Sequence, residues 1–404
     1  MNWFQFARLI HSIYGRRRSL PDLDWIQSLG LLAVKLGQVH ALRIDFLDRE
    51  KCEHLARLYR HNAILAPQDF RELLSAAAGG AGFFDHFDHI EPAPLASASV
   101  GQVHRAQLKD GRTVVIKAVK KDVREQFTAD VASLKRLFRI CTFLYPKLRQ
   151  VGDPVGILSD IEEYTLSELD LRHEVAGQKT LRAIYEEHRD GFDLSKLRFA
   201  QVEEPLCSDR LMVSEYIPGR TLDELLETGA LRYEQLLELF HIHGFYMFCV
   251  GTFHGDMHPG NVLLSDGQLC FIDTGYIGTV GPKIRRGLFE FFAALSEYDY
   301  PRCAVALNRM SERELTGAAL DRFRAQFIEL YAGFKDAPVG QVSLTKKMMQ
   351  TIKLGVHSGM HFEKGIFAII RSLMYLDGMV LRCKPEAVLL RDMRRFIAEF
   401  ERLV

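Results

Sequence analysis

Apolar side chains recur with a helical period up to about residue 90, give way to strand-like runs between Leu95 and Val119, and then return to helical spacing. Near the amino terminus Trp3, Phe6, Ala7, Ile10, Ile13 and Tyr14 fall on one helical face. Asp22 to His40 and Asp69 to Ala78 carry two further helical patterns. The second ends at Gly79-Gly-Ala-Gly82, and Pro92 and Pro94 punctuate the approach to the next unit. Ala96 to Leu108, an Asp-Gly turn at Asp110 and Gly111, and Thr113 to Val119 predict strand, loop, strand, turn and strand. Asp122 to about Glu187 is again helical. Leu211 to Ile217 predicts a strand running into a hinge at Pro218-Gly219, and Leu231 to Val250 a buried helix. Val262-Leu-Leu264 and Leu269-Cys-Phe-Ile272, separated by an Asp-Gly turn, predict a hairpin; after Ile284 the pattern is mainly helix.

These periods point to an α+β chain in three parts. Residues 1–90 form a helical extension, 91–217 a smaller β-containing lobe with inserted helices, and 218–404 a mostly helical lobe. At 404 residues and 48% hydrophobic content there is ample material for large cores. Lys+Arg and Asp+Glu both number 52, so no global nucleic-acid footprint is expected. The 7 cysteines are scattered with no Cys-x-x-Cys pair, as in free thiols of a reducing compartment. No run approaches the about 18 apolar residues that read as a spanning helix. The expectation is a cytoplasmic protein, at most peripheral on a membrane. The first acid is Asp22, and Arg16-Arg-Arg18 follows the amino-terminal helix. That helix is suited to a membrane interface, to an organelle-targeting role, or to packing on the rest of the chain.

The chemistry concentrates in Gly251-Thr-Phe-His-Gly-Asp-Met-His-Pro-Gly-Asn-Val-Leu-Leu264 and Cys270-Phe-Ile-Asp-Thr-Gly275. His254, Asp256, Asn261 and Asp273 stand there in the order and spacing of a kinase catalytic loop and metal-binding segment. Moving a γ-phosphoryl group needs a carboxylate to orient the attacking oxygen, a role that suits Asp256. It also needs oxygen ligands that hold Mg²⁺ against the phosphates of ATP, a role that suits Asn261 and Asp273. His254 would hold the loop backbone. A zinc site at His254 and His258 is rejected, since zinc wants three or four convergent ligands.

Val114-Val-Ile-Lys117 has the form of the third-strand lysine that pairs with nucleotide phosphates and a helix carboxylate. The preceding loop, Ala96, Ser97, Ala98, Ser99, Val100, Gly101 and Gln102, stands where a glycine-rich phosphate loop would be, yet keeps one glycine. Altered nucleotide geometry or damped transfer is expected from it. Glu215, beside the hinge, joins these nucleotide-contacting candidates. For the partner of Lys117, Ser167-Glu-Leu-Asp-Leu-Arg-His-Glu174 offers Glu168, Asp170 and Glu174, and spacing does not choose among them.

Taken together, these residues resemble the UbiB/AarF atypical kinases, a family that supports ubiquinone biosynthesis. Lys35-Leu-Gly-Gln38 looks like its Lys-x-Gly-Gln signature, Pro94 to His104 like its alanine-rich loop, and Glu168-Leu-Asp170 like its Glu-x-Asp motif. The resemblance implies a bilobal protein-kinase-like fold, with ATP and Mg²⁺ between the lobes and Glu174 as the partner of Lys117. It further implies that Lys35, Gln38, Glu168 and Asp170 regulate access by covering the substrate cleft against proteins. A lipid or quinone-precursor ligand, peripheral membrane contact through the first helix, and other quinone-biosynthesis proteins are the partners it suggests. Several bacterial members end in a hydrophobic hairpin; Glu401-Arg-Leu-Val404 carries none, so a stable anchor is not expected. No Ala-Pro-Glu follows Asp273-Thr-Gly275, which argues against a peptide-docking platform. The alternatives are a small-molecule phosphotransferase of the aminoglycoside or choline kinase type and a nucleotide-binding pseudokinase scaffold.

Overall fold

A computed structural model describes the chain except for residues 16–19, 42–46, 60–63, 98–99, 121–122, 145–153 and 363–364. Ala98 and Ser99 of the candidate phosphate loop therefore lie outside the described residues, as do Arg16, Arg17 and Arg18. The chain divides into two compact units. One comprises Met1–Ala176 with Ala200–Ile217, the other Gly177–Phe199 with Pro218–Val404.

The first unit opens with four helices, α1 (Trp3–Tyr14), α2 (Leu23–Ser28), α3 (Leu31–Ala41) and α4 (Arg49–Ala56). Asn2 and Gln5 form a capping box that satisfies the first donors of α1. These helices share a core with α6 (Val123–Leu144) and α7 (Pro154–Glu168), centred on Leu9, Ile13, Ile26, Leu55, Phe127 and Val131. The expected apolar face of α1 thus divides: Ile13 is buried, with Leu9 beside it, while Trp3 remains 64% exposed.

After α5 (Pro67–Ala77) comes an antiparallel sheet of β1 (Phe87–Ser97), β2 (Gly101–Leu108), β3 (Thr113–Val119) and β5 (Leu211–Glu215), in that spatial order. The first strand starts well before Leu95, where the sequence suggested only a punctuated approach. Pro92 and Pro94 are tolerated because β1 is an edge strand, and its pairing with β2 shifts register on both sides of Pro94. Val114, Ile116 and Ala118 of β3 are buried with Phe70, Leu74 and Val213. Strand alternation therefore sends Lys117 to the other face. Next, α8 (Leu171–His188) begins in this unit and continues into the second.

In the second unit β4 (Leu197–Arg198), β9 (Gln268–Phe271), β8 (Val262–Ser265) and β6 (Arg220–Thr221) form a small sheet, the expected hairpin at its centre. A second ladder joins β7 (Thr252–His254) to β10 (Ile277–Thr279), three-residue strands too short to leave a period in the sequence. Helix α9 (Leu222–Glu227) precedes α10 (Tyr233–Gly244). The single helix expected over Leu231 to Val250 instead ends as a π-helical turn, Phe245–Val250, a distortion often found beside functional sites. Among the described residues six helices complete the unit: α11 (Pro282–Ser296), α12 (Tyr300–Met310), α13 (Gly317–Leu330), α14 (Leu344–His357), α15 (Gly365–Cys383) and α16 (Leu389–Phe400). They enclose an aromatic core that includes Phe248, Phe253, Phe292, Phe327 and Phe400.

One polar group inside that core has a measurable consequence. His243 on α10 is 1% exposed; its Nε2 lies 3.3 Å from Ser372 Oγ, and its Nδ1 has no partner among the described residues. Burial pushes its imidazole down to about 3. Below about pH 6.5 the unfolded chain takes up a proton that the folded chain refuses, so stability is full above that pH and falls as the pH drops. Between pH 7.5 and 5.0 this group should remove about 2 kcal/mol. Urea unfolding at both pH values should show a smaller acid loss for His243→Leu than for the unaltered chain; equal losses would exclude His243 as the source.

Candidate active site

Asp256 leaves β7 at the start of a tight loop whose backbone is organised by His254. The Asp256 N–H donates to His254 Nδ1 at 3.1 Å, and His254 Nε2 lies 3.0 Å from the Ile272 carbonyl. These partners assign the tautomer: Nε2 carries the hydrogen and Nδ1 accepts. His254 is fully buried, and desolvation holds its imidazole below the usual histidine range. A neutral ring thus joins the residue that presents Asp256 to the residue before Asp273. The backbone role expected of His254 is borne out.

Asn261 is fixed in the same way. Its Nδ2 donates to the Asp256 carbonyl at 3.0 Å and to Asp256 Oδ2 at 3.1 Å, and its Oδ1 is outside both bonds. The Ile272 N–H donates to the Asn261 carbonyl at 2.9 Å, so the hairpin returns Asp273 to the end of the sheet that carries Asn261. Asp273 itself has a left-handed backbone, φ 54°. That region is sparsely used by residues other than glycine and is typical of functional positions. Oxygen donors on Asn261 and Asp273 suit Mg²⁺, which keeps several waters and takes one or two protein groups beside substrate phosphates. Gly255 has no room for a side chain: a Cβ there would lie 2.2 Å from the Tyr276 ring. No local pattern signals this, because the Tyr276 contact depends on the β7–β10 pairing.

In the first unit, Lys117 Nζ lies 2.6 Å from Glu174 Oε2, both largely buried. Among the three acids that spacing left open, Glu174 meets the lysine. Glu168 instead forms an ion pair with Lys35, and Asp170 pairs with Arg172 at 2.6 Å while accepting the Arg172 N–H. The Arg172 hydrogen bond holds the Asp170 carboxyl below its ordinary range. Gln38 is buried and donates to the Leu58 carbonyl at 3.1 Å. Lys35 and Gln38 thus bind helix α3 to its own unit, and of the Glu-x-Asp pair it is Glu168 that Lys35 reaches.

The small-residue loop is only partly described. Val100 is buried with Val119, Leu169 and Met212. Gly101 has a packing reason beyond any phosphate: a Cβ would lie 2.3 Å from the Ala118 carbonyl on β3. The Gln102 side chain is fully buried, facing the Leu65 N–H and lying 2.9 Å from His104 Nε2. Ala96 and Ser97 close β1, and Glu215 accepts the Gln201 N–H at 3.1 Å.

The ABC1 atypical kinase-like domain matches residues 62–307. A Vibrio cholerae protein called "Probable protein kinase UbiB" is 28% identical over 387 residues, covering 93% of this chain and 69% of the relative. Its Cronobacter sakazakii namesake is 28% identical over 381 residues, covering 92% and 68%. Among solved structures, Rv3197 of Mycobacterium tuberculosis, in complex with erythromycin, superposes with a TM-score of 0.53 over 90% of each chain at 21% identity, a likeness of fold. The chain therefore has a kinase-like α+β fold and belongs to the ABC1 atypical kinase-like family.

Proposed function

We propose that this protein is an atypical kinase or ATPase that binds Mg-ATP and supports ubiquinone biosynthesis. The observation that carries the proposal is the tethering of Asp256, Asn261 and the Asp273 segment to one another through His254 and the β8–β9 hairpin. A solvated acidic loop needs no such tethers; a phosphoryl-transfer centre does, since its catalysis is mostly positioning. Asp256 would orient the acceptor oxygen, and Asn261 and Asp273 would hold Mg²⁺. Lys117, kept in place by Glu174, would engage the phosphates, with Ala96 to Gln102 and Glu215 around the nucleotide. When bound, Mg²⁺ supplies charge neutralisation at the phosphate oxygens. An intact set of these groups favours turnover over a pseudokinase scaffold. The link to quinone metabolism rests on relatives called UbiB, and it makes a lipid or quinone precursor the acceptor or effector. An aminoglycoside-type phosphotransferase would leave Lys35-Leu-Gly-Gln38 without a purpose.

The buried Lys35–Glu168 pair supports a rigid extension that keeps proteins from the acceptor side, with Gln38 and Asp170 as further regulatory residues. Peripheral membrane contact through α1 is favoured by exposed apolar side chains. Trp3 and Phe4 are 64% and 70% exposed, and Phe143 on α6 is 80% exposed. A groove of about 450 Å³ lies among Trp3, Phe6, Ile10, Tyr14, Leu137 and Phe138. Exposed aromatics on a helix followed in the sequence by Arg16-Arg-Arg18 suit the interface of an anionic bilayer. Among the described residues no helix is long and apolar enough to cross one.

Asp256→Asn should keep Mg-ATP affinity while lowering ATP turnover by roughly two to four orders of magnitude. Asp273→Asn should weaken nucleotide binding in Mg²⁺ but not in EDTA. Calorimetric titration and phosphate release measure both, and wild-type turnover in Asp256→Asn would remove it from the chemistry. A deletion strain should lose ubiquinone under aerobic growth and regain it with the wild-type chain but not with Asp256→Asn; normal quinone levels would detach the protein from that pathway. Sedimentation with phosphatidylglycerol vesicles should fall for the double change Phe4→Ser, Phe143→Ser, with little effect on ATP turnover in solution. Equal sedimentation would remove this face from membrane contact.

A further inference from the structure

The tethers between Asp256 and Asp273 are reinforced from a distant part of the chain. On α15, Arg371 Nη2 donates to the Gly255 carbonyl at 3.1 Å, one residue before Asp256. The same guanidinium carbon lies 4.8 Å from the centroid of the Tyr276 ring, one residue beyond Asp273-Thr-Gly275. Gly255 and Tyr276 are themselves joined, since the Gly255 N–H donates to the Tyr276 carbonyl at 2.9 Å. The glycine lies so close to the ring that no side chain fits between them. The adjacent residue, Ser372, donates to the His254 carbonyl at 3.4 Å and receives support from His243 at 3.3 Å. Successive residues of α15 therefore hold successive carbonyls of the loop that presents Asp256.

Resting on the phosphoryl-transfer proposal, we infer that Arg371 is a positioning residue: it clamps the Gly255 carbonyl and the Tyr276 ring together and so fixes Asp256 relative to Asp273. An arginine beside a carbonyl often serves only to satisfy it. Here the guanidinium serves two segments at once, by an N–H donor to the carbonyl and by its charge over an aromatic ring, a fork that lysine reproduces only in part. Its positive charge also acts on His254, where it opposes the proton uptake that would end the Asp256 N–H bond. Loosening the clamp would let the Asp273 segment drift from Asp256, and displacements of this kind slow positioning-dependent catalysis steeply. The Gly255 and Tyr276 contacts of Arg371 lie on the Asp256 and Asp273 segments, so metal-independent nucleotide binding should not notice its loss.

The test uses the full chain with Arg371→Gln, Arg371→Lys, Tyr276→Leu and the double change Arg371→Gln, Tyr276→Leu. Three readouts are taken: kcat for ATP hydrolysis, the Mg²⁺ concentration for half-maximal hydrolysis, and ADP binding in EDTA. Arg371→Gln should lower kcat roughly ten- to a hundredfold and raise the Mg²⁺ requirement several-fold, with ADP binding in EDTA unchanged. Arg371→Lys should recover only part of the loss, and the double change should be little worse than either single one because both break the same clamp. A folded Arg371→Gln with wild-type kcat and Mg²⁺ requirement, or a double change whose losses multiply, overturns the inference. If Arg371→Gln does not fold, as judged by circular dichroism, Arg371→Lys and Tyr276→Leu decide the matter by the same criteria. If the wild-type chain hydrolyses no ATP, the proposed function fails on its own. The clamp is then judged by whether Arg371→Gln raises the Mg²⁺ needed for nucleotide binding.

Discussion

A single neutral imidazole carries the arrangement of the candidate chemistry. His254 accepts the Asp256 N–H through one nitrogen and donates toward the Ile272 carbonyl through the other. Both bonds require one tautomer and no added proton. Burial supplies that condition, because a charged ring in the same place would lose its solvation and one of its two partners. The loop that presents Asp256 and the strand that delivers Asp273 are thereby joined by a side chain instead of by sheet pairing alone. Around this link the rest is layered. Asn261 bonds back to Asp256, the β7–β10 ladder brings Tyr276 over Gly255, and α15 reaches in with Arg371 and Ser372.

What could be read along the chain follows from how local each signal is. Asp256, Asn261 and Asp273 were legible because a turn and a short hairpin separate them, and both leave marks in glycine, proline and alternating apolar residues. Lys117 was legible for the same reason, lying on a β-branched strand whose buried neighbours alternate with it. Its partner was not: Glu168, Asp170 and Glu174 look alike in sequence, and only packing sends Glu174 to Lys117 and Glu168 to Lys35. The first strand was hidden by Pro92 and Pro94, which are compatible with a strand only at a sheet edge with shifted register. Arg371 and Tyr276 had no local signature, since an arginine within a helical pattern reads as solvated surface until the fold places it on a carbonyl and a ring.

The amino-terminal helices show a division of labour within one sequence pattern. The face of α1 that looked uniformly apolar buries Ile13 in the helical core, beside Leu9, and leaves Trp3 outside with its neighbour Phe4. Packing and exposure are therefore supplied by different residues of the same helix. Lys35 and Gln38 follow a comparable logic, as their polar ends are used by Glu168 and by the Leu58 carbonyl. Buried polar pairs of this kind contribute little net stability but penalise every arrangement in which one partner is lost. They suit an element whose task is to stay in one place.

The most direct measurement is a crystal structure of the full chain with Mg²⁺ and a non-hydrolysable ATP analogue. The metal should be held by Asn261 Oδ1 and an Asp273 carboxylate oxygen at about 2.0–2.1 Å, with Lys117 on the phosphates and Asp256 facing the γ-phosphoryl group. A nucleotide bound elsewhere, or a metal that ignores both Asn261 and Asp273, would contradict the assignment of this loop to phosphoryl transfer.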